Sequence, residues 1–170
     1  MIAKAQAVGP GILRANFVDL ILWRHAEAQD WEEGCNDMER ALTTRGEKHA
    51  ARMAVWLDRQ LPEGARILSS PARRTEQTVL ALGRKFKLRE ELGPGGTPQE
   101  LLALARWPEG KSTVLLVGHQ PALGQTIAQL LAIAELQVAV RKGAVWWLRC
   151  REREGVLQTT LVAVQQPEML

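Results

Sequence analysis

The chain has 170 residues, 46% of them hydrophobic and 24% charged, with a net charge of +3. That is the composition of one ordinary globular domain, long enough to bury a core and too mildly basic to require a nucleic-acid partner. No apolar run approaches the ~18 residues of a membrane span. The two cysteines, Cys35 and Cys150, are far apart and lack metal-ligand spacing. They suit a reducing, cytoplasmic compartment rather than a disulfide framework.

Residues 1–17 contain Gly9-Pro10-Gly11, which interrupts any continuous apolar middle of a signal peptide. They read as a loosely ordered extension, with a single domain over 18–170. Leu20–Trp23 is a short buried strand that stops on Arg24-His25, a cation and a titratable imidazole suited to an anion and to chemistry on it. Ala26–Leu42 is a polar loop whose carboxylates, Asp37 among them, read mostly as solvated. Thr44 and Glu47 have capping-box spacing, and Ala50, Met53, Ala54, Leu57 and Leu61 recur at helical period.

Ala65–Ser69 is a second strand, running into Ser70-Pro71 as an N-cap and first helical residue. The helix is expected to continue to Phe86, burying Thr75, Val79, Leu82 and Phe86. Arg73 lies opposite its apolar stripe and reads as a surface residue. Arg74 lies on the flank, and helix side chains lean toward the N-terminus, so it can reach back over the strand end. Free amides and the helix dipole already favour an anion there.

Lys87–Glu91 is an expected edge strand, followed by a helix over about 97–105. Glu90 and Glu91 end that strand, and either is a candidate proton donor or an ordinary exposed carboxylate. Ser112–Val117 is a third core strand, ending Gly118-His119-Gln120-Pro121 before a helix that buries Leu123, Ile127, Leu130 and Leu131. Ala144–Val164 reads as two strands about a turn at Glu152–Gly155. Trp146, Trp147 and the neighbouring Arg141, Lys142, Arg149 and Arg151 line that sheet, one cluster being too little for a nucleic-acid stacking platform.

Alternating strands and helices predict a three-layer α/β/α fold, with a mostly parallel central sheet, helices on both faces and a C-terminal strand pair. Ligands of such sheets bind outside the carboxyl ends of the strands. Arg24, His25, Arg74 and His119 converge there. Guanidiniums clamp a phosphoryl group, a neutral imidazole attacks phosphorus, and a second histidine, if protonated, stabilises the transferring oxygens. With neither a carboxylate cluster for a metal nor a glycine-rich P-loop, the expectation is phosphoryl transfer to water without metal or other cofactor.

The stretches LILWRHAEA, LTTRGEKHA, SSPARRTEQT and LLVGHQPALG, in that order, resemble the signature series of the histidine phosphatase (phosphoglycerate mutase-like) superfamily. Within it the chain looks most like the short SixA-type phosphohistidine phosphatases, over roughly residues 18–164. The resemblance implies His25 as the phosphorylated nucleophile, Arg24 and Arg74 as phosphate clamps, and His119 as the second pocket histidine. Thr44 and Ser70 match motif positions without an assigned role. Larger members insert segments that supply an acidic proton donor, for which this chain has little room. Phosphohistidine leaves as imidazole and needs a general acid less than a phosphomonoester does. The expected partner is therefore a phosphohistidine protein, such as a phosphorelay or phosphotransferase domain. A small phosphoester, with Glu91 as acid, is the alternative substrate. A phosphate-binding module without catalysis is the alternative of another class.

Overall fold

A computed structural model describes residues 17–170. The expected N-terminal extension lies outside the described residues, apart from Phe17, which opens the first strand, β1 (Phe17–Arg24). That strand is buried from Val18 to Trp23, including Asp19. Its carboxylate is compensated by Arg149 on the neighbouring strand, which donates from Nε to Oδ1 at 2.6 Å and from Nη2 to Oδ2 at 2.8 Å. The Arg149 guanidinium also lies 4.1 Å from the Phe17 ring centroid. Of that basic-aromatic cluster, Arg149 therefore serves the sheet itself.

Beyond β1 come α1 (Thr44–Gln60), β2 (Arg66–Ser69), α2 (Arg73–Leu80), β3 (Lys87–Leu88), α3 (Pro98–Ala105), β4 (Val114–Gly118), α4 (Ala122–Leu130), β5 (Val145–Arg153) and β6 (Val156–Gln165). The sheet order is β3-β2-β4-β1-β5-β6. Pairings from β3 through β1 are parallel, whereas β5 runs antiparallel to both β1 and β6. The sheet is thus mixed, with the C-terminal strand pair closing one side. Met53, Ala54, Leu57 and Val79 from α1 and α2 cover one face with Ile21, Trp23, Leu115 and Val117. Leu101, Ala105, Leu123 and Ile127 from α3 and α4 cover the other with Leu20, Leu22 and Leu116.

Two expected helix boundaries are corrected. The cap of α1 is Thr43, whose Oγ1 accepts from the Gly46 amide, and Thr44 is the first helical residue. Helix α2 begins at Arg73 and stops at Leu80, six residues before Phe86. Leu82 and Phe86 still reach the core beside Val79, because the turn at Leu80–Gly83 folds the chain back onto the same face. An apolar spacing of three and four is satisfied here by a helix followed by a turn.

Candidate active site

Strand pairing brings three carboxyl ends together. Arg24 is in register with Gly118, and Ser69 with Val117. The Ser70 amide donates to Val117 O at 3.0 Å, and the His25 amide to Gly118 O at 3.2 Å. His25 and His119 each follow a paired strand-end residue, and their ring centroids lie 5.2 Å apart. Both are buried, as is Arg74, whose side chain crosses from the first turn of α2. The four residues expected to converge do so. Arg73 is exposed, as its place on the wheel requires.

The hydrogen bonds assign tautomers. His25 Nδ1 lies 2.7 Å from Ala26 O, a pure acceptor, so Nδ1 carries the proton and Nε2 keeps its lone pair. Arg74 Nη2 lies 3.3 Å from His119 Nδ1, and a guanidinium can only donate. His119 Nε2 therefore bears hydrogen and donates to Ser70 Oγ at 2.9 Å. Ser70, expected as a helix cap, instead holds this histidine and also accepts from the Ala72 amide at 3.1 Å.

Burial is the main reason both imidazoles are pushed down to about 3. For His25 the bond to Ala26 pulls the other way, while the charges of Arg74, Arg24 and Lys142 add to the lowering. For His119 the neighbours that lower it most are His25 and Arg74. Both rings are neutral in the free site at pH 7. An arriving phosphate dianion would offset the cationic part of that lowering.

This has a consequence for stability. Between about 3 and the ordinary 6.5, the unfolded chain binds protons at these two histidines that the folded one refuses. Stability should rise with pH across that window and fall as acid is added, by up to about 1.4 kcal/mol per pH unit for each histidine. Urea unfolding at several pH values checks this. A double His25→Gln, His119→Gln variant should show a flatter slope; an unchanged slope would refute the assignment.

The guanidiniums are held from behind. Arg24 Nη1 donates to Val140 O at 2.7 Å. The loop bearing Val140 is anchored by Val138 N to Gly124 O at 3.0 Å and by Gly143 N to His25 O at 3.0 Å. Gly124 is required at that crossing, since a Cβ there would collide with Val138 O. Arg74 Nη1 donates to Asp37 O at 2.7 Å and Nη2 to Asp37 Oδ2 at 3.0 Å. Among the described residues, the buried Nε atoms of Arg24 and Arg74 have no hydrogen-bond partner. Such donors suit an oxyanion.

Asp37 is a residue that sequence reading left among the solvated loop charges. Burial pushes its carboxyl up, but hydrogen bonds from Arg74 and Arg40 outweigh this and hold it below the usual carboxylate range. It stays ionised and positions Arg74. Glu91, the candidate proton donor, sits exposed in a 3-10 turn over Glu90–Leu92, not on a strand. Its side chain makes no hydrogen bond to His25, His119, Arg24 or Arg74. Gln77 and Thr78 brace the site: Gln77 Oε1 accepts from Leu42 N at 2.8 Å, and Thr78 Oγ1 from Ala26 N at 3.1 Å.

The family model for the histidine phosphatase superfamily (branch 1) matches residues 20–95. Phosphohistidine phosphatase SixA of Escherichia coli is 33% identical over an alignment of 121 positions that covers 66% of this chain and 74% of the relative. A SixA structure from Nakamurella multipartitia superposes with a TM-score of 0.71 at 30% identity, covering 90% of this chain and 98% of that one. A protein histidine phosphatase SixA complexed with tungstate gives 0.73 at 28% identity, covering 89% and 98%. Strand ends, paired histidines and sequence likeness agree, and the chain belongs to the histidine phosphatase superfamily as a SixA-type phosphatase.

Proposed function

We propose that the protein removes phosphate from phosphohistidine on a protein, by way of a phosphorylated His25. The observation that carries this reading is the neutral His25 ring, with Nδ1 committed to Ala26 O and Nε2 left as a lone pair among guanidiniums. Nε2 attacks phosphorus, forming a P–N bond as the substrate's P–N bond breaks. The departing imidazole keeps that electron pair and takes a proton from water. A water molecule then attacks the phosphoryl group, its proton passes to solvent, and His25 leaves with its lone pair restored. Arg24 and Arg74 hold the phosphoryl oxygens through this exchange, and His119, bonded to both Arg74 and Ser70, keeps the Arg74 guanidinium in place beside the group.

Substrate class follows from the acid that each leaving group needs. An alkoxide must be protonated as it departs, whereas imidazole departs readily. Asp37 is bonded into the site but is held ionised by Arg74 and Arg40, so it has no proton to give. The SixA relatives, named as phosphohistidine phosphatases, support the same substrate.

The test is phosphate release from a phosphohistidine phosphotransfer domain, beside p-nitrophenyl phosphate and sugar phosphates. The expected ranking is phosphohistidine well ahead of the esters. Faster turnover of the esters would make this a small-molecule phosphatase and turn attention to Glu91.

A further inference from the structure

A second cationic surface lies away from the histidines, where the sheet ends at β3. A groove of about 700 Å3 there is lined by Arg66, Lys85, Lys87, Arg89 and Arg106, together with Ile67 and Leu68 of β2. None of these five cations forms an ion pair among the described residues. Arg84, also in the lining, is instead committed to the last turn of α1 and the residues after it, donating to Asp58 Oδ1 at 2.7 Å and to Pro62 O at 3.0 Å. Burial and the neighbouring charges of Arg106 and Arg89 hold the Arg66 guanidinium below its ordinary value. Like charges have been gathered with no carboxylate in the lining.

The layout says what fits. Lys87 pairs in register with Leu68 and so lies on the α3 face of the sheet. The extended Arg89, two residues on, follows it there, its amide bonded to Ser69 O, and Lys85 lies just before this short strand. Arg66, two residues before Leu68, lies on that face too and donates from Nη2 to Leu104 O of α3 at 3.0 Å. Arg106, just past α3, also lines the groove, near enough for its charge to act on Arg66. Alternate side chains on a strand are about 7 Å apart, the repeat of any extended peptide. Among the described residues β3, two residues long, has β2 as its single strand neighbour, so its outer side is open to a further strand.

We propose that this edge is a docking site for an acidic, extended segment of a partner protein. The segment pairs alongside β3 and sets alternate carboxylates against Lys87 and Arg89, with Lys85, Arg66 and Arg106 adding positive charge around it. A compact phosphate is a poorer fit, because the cations are strung along an edge rather than converging on a point. The site is separate from the strand-end histidines, and the proposal stands whichever phosphate compound is hydrolysed there.

The test is fluorescence anisotropy of a labelled Glu-Thr repeat peptide on the full chain. Excess inorganic phosphate occupies the histidine site, and a Gln-Thr repeat and an oligothymidylate serve as comparison probes. The Glu-Thr peptide should bind, the Gln-Thr peptide should not, and Lys87→Glu with Arg89→Glu should weaken binding at least about tenfold. Hydrolysis of p-nitrophenyl phosphate should be the same in that variant. Amide shifts in the wild type provide a reading independent of variant folding, and should centre on residues 84–89. Three results overturn the proposal: no binding of the acidic peptide, binding indifferent to the charge reversal, or shifts centred elsewhere. Oligothymidylate binding as tight as the peptide would likewise overturn it in favour of a nucleic-acid surface.

Discussion

His25→Ala should lower phosphate release by on the order of 10⁴-fold or more, since loss of the proposed covalent nucleophile would remove the pathway rather than slow it. Arg24, Arg74 and His119 remain in the variant, and their hold on Val140 O, Asp37 and Ser70 does not run through the His25 side chain. Oxyanion binding should therefore survive while turnover does not. Two measurements separate these. Tungstate should still raise the melting temperature of His25→Ala, because a ligand bound to the folded state stabilises it by mass action. Brief exposure to labelled substrate should give an acid-labile phosphoenzyme with the wild type and none with the variant. Turnover within about tenfold of wild type would mean that another group attacks phosphorus.

The sheet and the four residues at its carboxyl ends were legible because their signals are local. Leu20–Trp23 and Val114–Val117 are apolar runs that end abruptly on polar residues, and each end is read without knowing the fold. Arg74 was separable from Arg73 by helix geometry alone, and burial distinguishes them in the same sense. Supporting contacts were not legible, because they join residues far apart in sequence. Asp37 meets Arg74 from a loop rich in carboxylates, and no local pattern marks it out from Asp30 or Glu33. Val140 O meets Arg24 through a main-chain carbonyl, which carries no residue signature at all.

Ser70 and Thr44 show the opposite failure, where a local signal was present and read in the wrong role. A serine before proline suits a helix N-cap, but the helix starts two residues later, at Arg73, once Pro71 and Ala72 have turned the chain. The Ser70 hydroxyl is thus released to accept from His119. In the Thr43-Thr44 pair either residue satisfies the cap pattern by composition. The bond from Gly46 N selects Thr43, and Thr43 Oγ1 in turn donates to Glu27 Oε1 at 2.8 Å. That bond ties the start of α1 to the chain just past His25.

Arg74→Ala is the other substitution with a large expected effect, and it should act on catalysis far more than on stability. The side chain donates to Asp37 O, Asp37 Oδ2 and His119 Nδ1, and its Nε is left for the oxyanion. Removing it would take away the proposed charge-assisted contact to the phosphoryl group and the donor that fixes the His119 tautomer. The expected fall in kcat/KM is about 10²- to 10³-fold, or about 3–4 kcal/mol in the transition state. The fold should lose less, because Arg24 and Arg74 are both held below the ordinary guanidinium range, first by burial and, for Arg24, next by the charge of Arg74. Deleting one of two crowded cations relieves a repulsion that an empty phosphate site must otherwise carry. Arg74→Lys is the discriminating control. It keeps the charge but cannot reach Asp37, His119 and the oxyanion at once, so it should recover phosphate binding better than kcat. Melting temperatures with and without tungstate, set beside kcat and KM for all three proteins, check the argument. If Arg74→Ala unfolds easily and Arg74→Lys restores both stability and kcat, Arg74 is a structural cation and the phosphate clamp must be sought elsewhere.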